Sequence, residues 1–374
     1  MIRNKHLRYF ATALLVAVAA TVSATPGRAE DIRLDALNIP VSGSGGAASV
    51  VLEAMVVRPD DRLPHPLVVL NHGSPRSADD RPTMTPFGLW AQAVAFARRG
   101  WVAVAFLRRG YGRSGGEWAE SYGPCSNPDY ATAGRAGASD IAAVAKFMMA
   151  EPYVGKGKWI SVGHSAGAFA TVALTADPPP GLAAAISFAP GRGSSGPDAV
   201  CGEKQLVSAF AEYGRTSRLP LLWVSAQNDH FFGPLLVPRL TGAFSAAGGN
   251  LTYIKAPPFG SDGHQLFSAA NGVPVWSPIV DRFLASNNLV FRDHLMEIPV
   301  PNPPASLSPN GRAAFKTYLD SGPNKAFAAA GNSRFGWATG RRTVEEARQI
   351  ALGYCVSGSS AKCAVVNVND KPAE

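Results

Sequence analysis

The sequence predicts an α/β protein with a mostly parallel central sheet and helices on both faces, followed by a small α+β module. Two observations carry this. Apolar strand-like runs alternate with helical patterns from about residue 50 to residue 285, the order that builds parallel sheets. Several runs, such as PLVVL at Pro66 to Leu70, are continuously apolar without alternation, the mark of a strand covered on both faces. A third observation fixes the focus: in Lys158 to Leu174, KWISVGHSAGAFATVAL, strand, sharp turn and helix meet at Ser165.

In chain order, Ile32 to Ile39 and Val50 to Val57 read as an antiparallel strand pair separated by the turn-rich Ser42 to Gly46. Phe87 to Arg99 has helical spacing and stops at Gly100, a natural C-terminal cap. Trp101 to Leu107 is a strand, followed by an irregular stretch holding Cys125, and Asp140 to Ala150 is a helix. After the Ser165 strand and helix come the strand Leu182 to Ala189, the helix Glu203 to Tyr213, the strand Leu221 to Ala226 and the helix Leu236 to Ala247. The strand Leu251 to Ala256, a loop with His264 and the helix Val275 to Ala285 complete the unit. Ligands of such sheets sit at the carboxyl ends of strands.

The chain has 374 residues and a formal charge of +8. Residues 1–29 contain no acid and read as a secretory signal: Arg3, Lys5 and Arg8 precede an apolar run from about Phe10 to Val22, with small residues before candidate cleavage points at Ala24 and Ala29. That run is too short to span a bilayer. Without Arg3, Lys5, Arg8 and Arg28 the charge is +4, with no long basic run, which argues against a nucleic-acid partner; no later apolar run is long enough for a membrane span. The expected organisation is signal 1–29, catalytic domain 30–285, proline-rich linker 286–309 and C-terminal module 310–374.

Four cysteines fall in two separated pairs, Cys125 with Cys201 and Cys355 with Cys363, which suggests two disulfides in an exported chain, although the sequence allows three connectivities. None has zinc-site spacing, and no metal or cofactor is expected. In the module, Thr343 to Glu346 form a capping box for a helix ending near Cys355, and Cys363 opens the strand Ala364 to Val368. The module shows no catalytic group, leaving support, wall association or an unknown partner.

A GxSxG serine needs a strained turn that thrusts its hydroxyl out of the sheet, with glycines two positions either side. Ser165 has that setting. Ser114 also fits the pattern but lies in a loop beyond a strand end. A serine hydroxyl requires a base, and the base a carboxylate. His264 and Asp229 follow in the order Ser, Asp, His, each after a strand, with Asp262 the rival acid and His230 the rival base. The backbone N–H groups of Ala166 and Ser74 are the expected oxyanion donors. Arg76, Arg108 and Arg109 follow strand ends, where arginines more often brace loops or face solvent than meet a substrate carboxylate.

The motifs NHGSP (Asn71 to Pro75), RGYGRSGG (Arg109 to Gly116), GHSAG (Gly163 to Gly167), QND (Gln227 to Asp229) and DGH (Asp262 to His264), in this order, resemble the α/β-hydrolase superfamily. The likeness is to its dienelactone-hydrolase-like and prolyl-oligopeptidase-like serine hydrolases, over roughly residues 45–285. It implies hydrolysis of a small ester, or of a peptide or amide bond, without metal or cofactor. Dienelactone hydrolases proper use a cysteine nucleophile, so their lactone substrate is not implied. The short segment between Ala189 and Leu221 leaves no room for a long helical lid, which favours a modest-sized substrate. Other classes consistent with the sequence are a binding protein on a hydrolase scaffold and an acyl transferase.

Overall fold

The computed structural model describes residues 31–42, 49–298, 300–331, 334–358 and 362–373; the expected signal, most of the turn between the first two strands and Pro299 lie outside them. The elements of the larger unit are β1 (Ile32–Val41), β2 (Val50–Pro59), β3 (His65–Asn71), α1 (Trp90–Ala97), β4 (Val102–Phe106), α2 (Tyr130–Met148), β5 (Val154–His164), α3 (Ala166–Ala176), β6 (Leu182–Phe188), a ribbon of β7 (Ser194–Gly196) and β8 (Ala199–Val200), α4 (Glu203–Gly214), β9 (Leu221–Ala226), α5 (Val237–Ala246), β10 (Leu251–Ala256) and α6 (Val273–Ser286).

Eight strands form one sheet in the order β1-β2-β4-β3-β5-β6-β9-β10. β2 runs antiparallel to β1 and β4, and every pairing from β4 to β10 is parallel. The unbroken apolar runs divide between two cores, because successive side chains leave a strand on opposite faces. In β3, Leu67 and Val69 join the core under α2, α3, α4 and α5, while Val68 and Leu70 join the one under α1 and α6. In β9, Leu221 and Trp223 face the first core and Leu222 and Val224 the second.

Most boundaries fall within about three residues of the sequence reading, and the largest difference is at α2, which begins at Tyr130, ten residues before the expected start at Asp140. Its first turns, YATAGRAGAS, lack an apolar stripe because they are built for closeness. A Cβ on Gly134 would lie 2.2 Å from the Tyr213 hydroxyl, and one on Gly137 2.8 Å from the Ala170 Cβ. The Asp129 side chain caps the helix by accepting from Thr132 N–H.

The remaining elements are α7 (Pro309–Leu319), β11 (Ala326–Ala330), β12 (Arg334–Ala338), α8 (Val344–Val356), β13 (Ala364–Val368) and β14 (Lys371–Pro372). The four strands make an antiparallel sheet in the order β12-β11-β13-β14. β11 again divides its residues: Ala326 and Ala328 pack with Ala347 and Ala351 of α8, and Phe327 packs with Phe315 and Tyr318 of α7. Two disulfides are present, Cys125–Cys201 and Cys355–Cys363. The second joins the end of α8 to the start of β13. Among the described residues no helix is long and apolar enough to cross a membrane.

Candidate active site

β5 ends at His164, and Ser165 follows with φ 55° and ψ −120° before α3 begins. This positive-φ backbone is costly for a residue with a Cβ. The flanking glycines show why no bulkier residue fits. A Cβ on Gly163 would sit 2.4 Å from Gly167 O, and one on Gly167 would sit 2.4 Å from both Asn71 O and His72 O. The elbow is therefore wedged against the end of β3. Asn71 fastens that contact, its buried Nδ2 donating to Ser161 Oγ at 2.9 Å and Thr171 Oγ1 at 3.0 Å.

Asp229 and His264 come from loops after neighbouring strands, β9 and β10. They meet in the interior, with His264 Nδ1 at 3.1 Å and 3.2 Å from the two Asp229 carboxylate oxygens, and both side chains buried. Asp229 Oδ1 also accepts from Phe231 N–H at 2.8 Å and Phe232 N–H at 3.0 Å, which fixes the carboxylate's direction. The rival acid, Asp262, braces the loops instead, its Oδ1 accepting from the backbone N–H groups of His264 and His230, each at 3.0 Å. His230, the rival base, is exposed and pairs with Asp198 at 3.1 Å.

Two further groups hold the imidazole. Phe231 stacks on it, ring centroids 3.9 Å apart and planes 7° from parallel. The Arg76 guanidinium lies 3.5 Å over the same Phe231 ring; two groups this near the ring centre cannot share a face, so Phe231 is sandwiched. On the elbow side, His164 Nε2 donates to the His264 carbonyl at 2.8 Å, linking the residue before Ser165 to the histidine loop. Burial, reinforced by the nearby His264, lowers the His164 pKa to about 3, so it stays neutral and its proton stays on Nε2.

Ser74 and Ala166 line the same cleft as Ser165. The chain passes close to the nucleophile at Gly73, where an added Cβ would lie 3.1 Å from the Ser165 Cβ. Next to it His72 is buried and its tautomer is fixed. Its Nε2 must accept, because its partner at 3.1 Å is the Arg108 backbone N–H, so Nδ1 carries the proton and donates to Gly73 O at 2.6 Å. Burial first, then the Arg108 charge, lowers its pKa to about 3.

Arg108 and Arg109 brace loops, the reading favoured from sequence over a substrate carboxylate, and are buried against internal acids: Arg108 pairs with Glu120, and Arg109 Nε meets Asp140 at 2.6 Å. Ser114 lies in its loop, its hydroxyl donating to Leu107 O at 2.6 Å and accepting from Glu53 N–H at 2.9 Å.

The structure adds residues that the sequence reading did not single out. Glu120 is shared by Arg108 and Arg192, the latter at 2.7 Å. Burial opposes its charge, yet the two guanidiniums hold its pKa at about 2. Tyr111 stands at the centre of this group. Its hydroxyl lies 3.0 Å from Ser74 Oγ and 3.1 Å from Glu120 Oε2, and it accepts from Trp118 Nε1 at 3.1 Å. Tyr111 lay within the RGYGRSGG motif, and the only sequence signal for Glu120 and Arg192 was their position in loops after β4 and β6. The cleft has a volume of about 160 Å³, and its wall includes Arg76, Arg81, Trp118, Tyr122, Arg192 and Phe231.

A sheet in this order, with a strained serine between its fifth strand and the following helix, defines the α/β-hydrolase fold, and the chain is a serine hydrolase of that class. The family model for X-Pro dipeptidyl-peptidase (S15 family) matches residues 45–231, half of the chain, and the chain belongs to that family. No curated protein matches the sequence. Among solved structures it is similar to an esterase of Pyrococcus furiosus, 16% identical over 68% of this chain and 93% of that one, with a TM-score of 0.46. It is similar also to an esterase of Butyrivibrio proteoclasticus with bound ferulic acid, 16% identical over 66% and 98%, TM-score 0.45. An acylaminoacyl peptidase of Pyrococcus horikoshii is 15% identical over 70% of this chain and 43% of that one, TM-score 0.48.

Proposed function

We propose that the chain hydrolyses small carboxylic esters through an acyl-enzyme at Ser165. The observation that carries this reading is the buried Asp229–His264 pair, tied through His164 to the strained serine. With Nδ1–H held by Asp229, His264 keeps the Nε2 lone pair for use as a base. Ser165 Oγ attacks the ester carbonyl carbon as its proton passes to Nε2, and the carbonyl oxygen becomes an oxyanion. The backbone N–H groups of Ala166 and Ser74 receive that charge, a donor of this kind being worth about 3 kcal/mol of barrier. Collapse breaks the bond to the alcohol, which leaves with the His264 proton. Water then gives a proton to His264 and attacks the acyl carbon, and Ser165 takes the proton back as the acid departs.

The family's name favours a second reading, release of X-Pro dipeptides. Ester cleavage is preferred because no aspartate or glutamate is among the residues lining the cleft, so nothing there would receive a peptide's terminal ammonium. Residues 30–285 form the catalytic part in this reading and residues 310–374 an accessory module. Two disulfides and the charged, apolar leader support work in an oxidising compartment outside the cytoplasm.

A direct comparison sets p-nitrophenyl esters of increasing chain length against X-Pro p-nitroanilides, together with fluorophosphonate labelling. Esters are expected to turn over faster, with the adduct on Ser165. Ser165→Ala should lower turnover by about 10⁴-fold or more while melting like the parent. Near-normal turnover in that variant would end the assignment.

A further inference from the structure

Three arginines, Arg76, Arg81 and Arg192, line the cleft, a fourth, Arg108, is buried beside Glu120, and that one carboxylate pairs with only two of them. Arg108 and Arg192 share Glu120. Arg192 uses Nε on the Glu120 carbonyl and Nη2 on the Glu120 carboxylate and Tyr111, contacts in which Nη1 takes no part. Arg76 reaches only neutral oxygens, those of Ser194, Gly196 and His230. Arg81 donates through Nε to Ala78 O and lies 3.9 Å over the Trp118 ring, while its Nη1 is buried without a hydrogen-bond partner. Among the described residues neither Arg76 nor Arg81 has a carboxylate partner, so a bound anion would supply the counter-charge that both lack. The acids nearest along the chain, Asp79, Asp80 and Glu117, are exposed and are not among the residues lining the cleft.

We infer that the ester carries a carboxylate, received by Arg81 and Arg76 opposite the Trp118 and Phe231 faces while Ser165 attacks the ester carbonyl. This deepens the ester reading and rests on it. Guanidiniums seated over aromatic rings lose freedom before a planar carboxylate arrives, and present it with forked donors. The surplus positive charge also draws anions toward the mouth and repels cationic substrates. A half-ester of a dicarboxylic acid is the simplest compound that meets both demands.

The experiment measures kcat/KM for mono-p-nitrophenyl glutarate against p-nitrophenyl butyrate, with a trimethylammonio-acyl p-nitrophenyl ester as the cationic control. The anionic ester is expected to be favoured by roughly tenfold or more, the cationic one disfavoured, and the preference should shrink at about 0.5 M salt. Arg81→Gln should reduce the anionic-to-neutral ratio by roughly tenfold, mostly through KM, and Arg81→Lys should restore part of it. Arg76 also props Phe231 against His264, so for Arg76→Gln only the ratio is informative. A wild-type ratio at or below one, or a ratio unmoved by both glutamine variants, overturns the inference. Calorimetry with Ser165→Ala separates the two readings. Monomethyl glutarate binding at least tenfold more tightly than methyl butyrate supports the arginine site even if hydrolysis fails, and equal binding overturns it even if neutral esters turn over.

Discussion

Ser165 was legible because the chemistry of a tight turn leaves residue-level marks. Only glycine fits at 163 and 167, where backbone atoms stand 2.4 Å from a notional Cβ. The second match at Ser114 shows what the pattern lacks without that setting, for its hydroxyl serves a loop. Asp229 was legible from its place just past a strand. Glu120 and Arg192 were not, since they meet across 72 residues of chain and no local period joins them. His72 and His164 lead to a prediction about acid stability. Their folded pKa values, about 3, lie below the ordinary value of 6.5, so in the interval between the two the unfolded chain binds the protons and the folded one does not. The stability they confer is complete above pH 6.5 and is lost as pH falls toward 3. Between pH 6.5 and 5 the unfolding free energy should drop with a slope approaching about 2.7 kcal/mol per pH unit for the two together. Denaturant titrations over that interval on the wild type and on His72→Gln/His164→Gln would show it. A wild-type slope no steeper than that of the double variant would refute the assignment.

At the scale of elements, the strands were the clearest part of the sequence, and β9 and β10 begin and end at the residues expected. The first half of α2 escaped because helix–helix contact through Gly134 and Gly137 replaces the apolar stripe with small residues. Of the three connectivities that the sequence allows, the structure has the one suggested by the separated pairs; the bond between Cys125 and Cys201 joins the loop before α2 to the turn before α4, near Tyr122 and Gly193 of the cleft wall. Cys201 N–H donates to Gly193 O at 2.8 Å, so the cross-link is continuous with that wall. Replacing both cysteines, Cys125→Ser/Cys201→Ser, should lower stability by about 2–4 kcal/mol and raise KM more than it lowers kcat. Thermal melts and ester kinetics with and without reductant would check this, and indifference of both to reductant would count against any role for the bond.

For the molecule as a whole, the existence of a second small sheet was readable from five prolines between 299 and 309 and from the capping box at Thr343. How it docks was not, because the contacts are single side chains. Arg342 pairs with Glu53 of β2 and donates through Nη2 to Met84 O at 2.9 Å. The strap between the units is pinned as well, with Met296 N–H donating to Arg98 O and Arg98 Nε donating to Met296 O at 2.7 Å. Arg342→Gln should cost about 1–3 kcal/mol in denaturant unfolding by stranding Glu53, and should weaken ester binding through the loop that carries Arg81. Unchanged unfolding and unchanged KM would show that the contact is incidental.

The Arg342 clasp changes how a shortened version of this protein should be interpreted. Met84 lies three residues from Arg81, so a side chain near the far end of the chain steadies a segment that faces substrate. A fragment trimmed at the proline strap would keep every reacting atom and still perform poorly. That deficit would report slack scaffolding around the cleft, and would say nothing about missing chemistry.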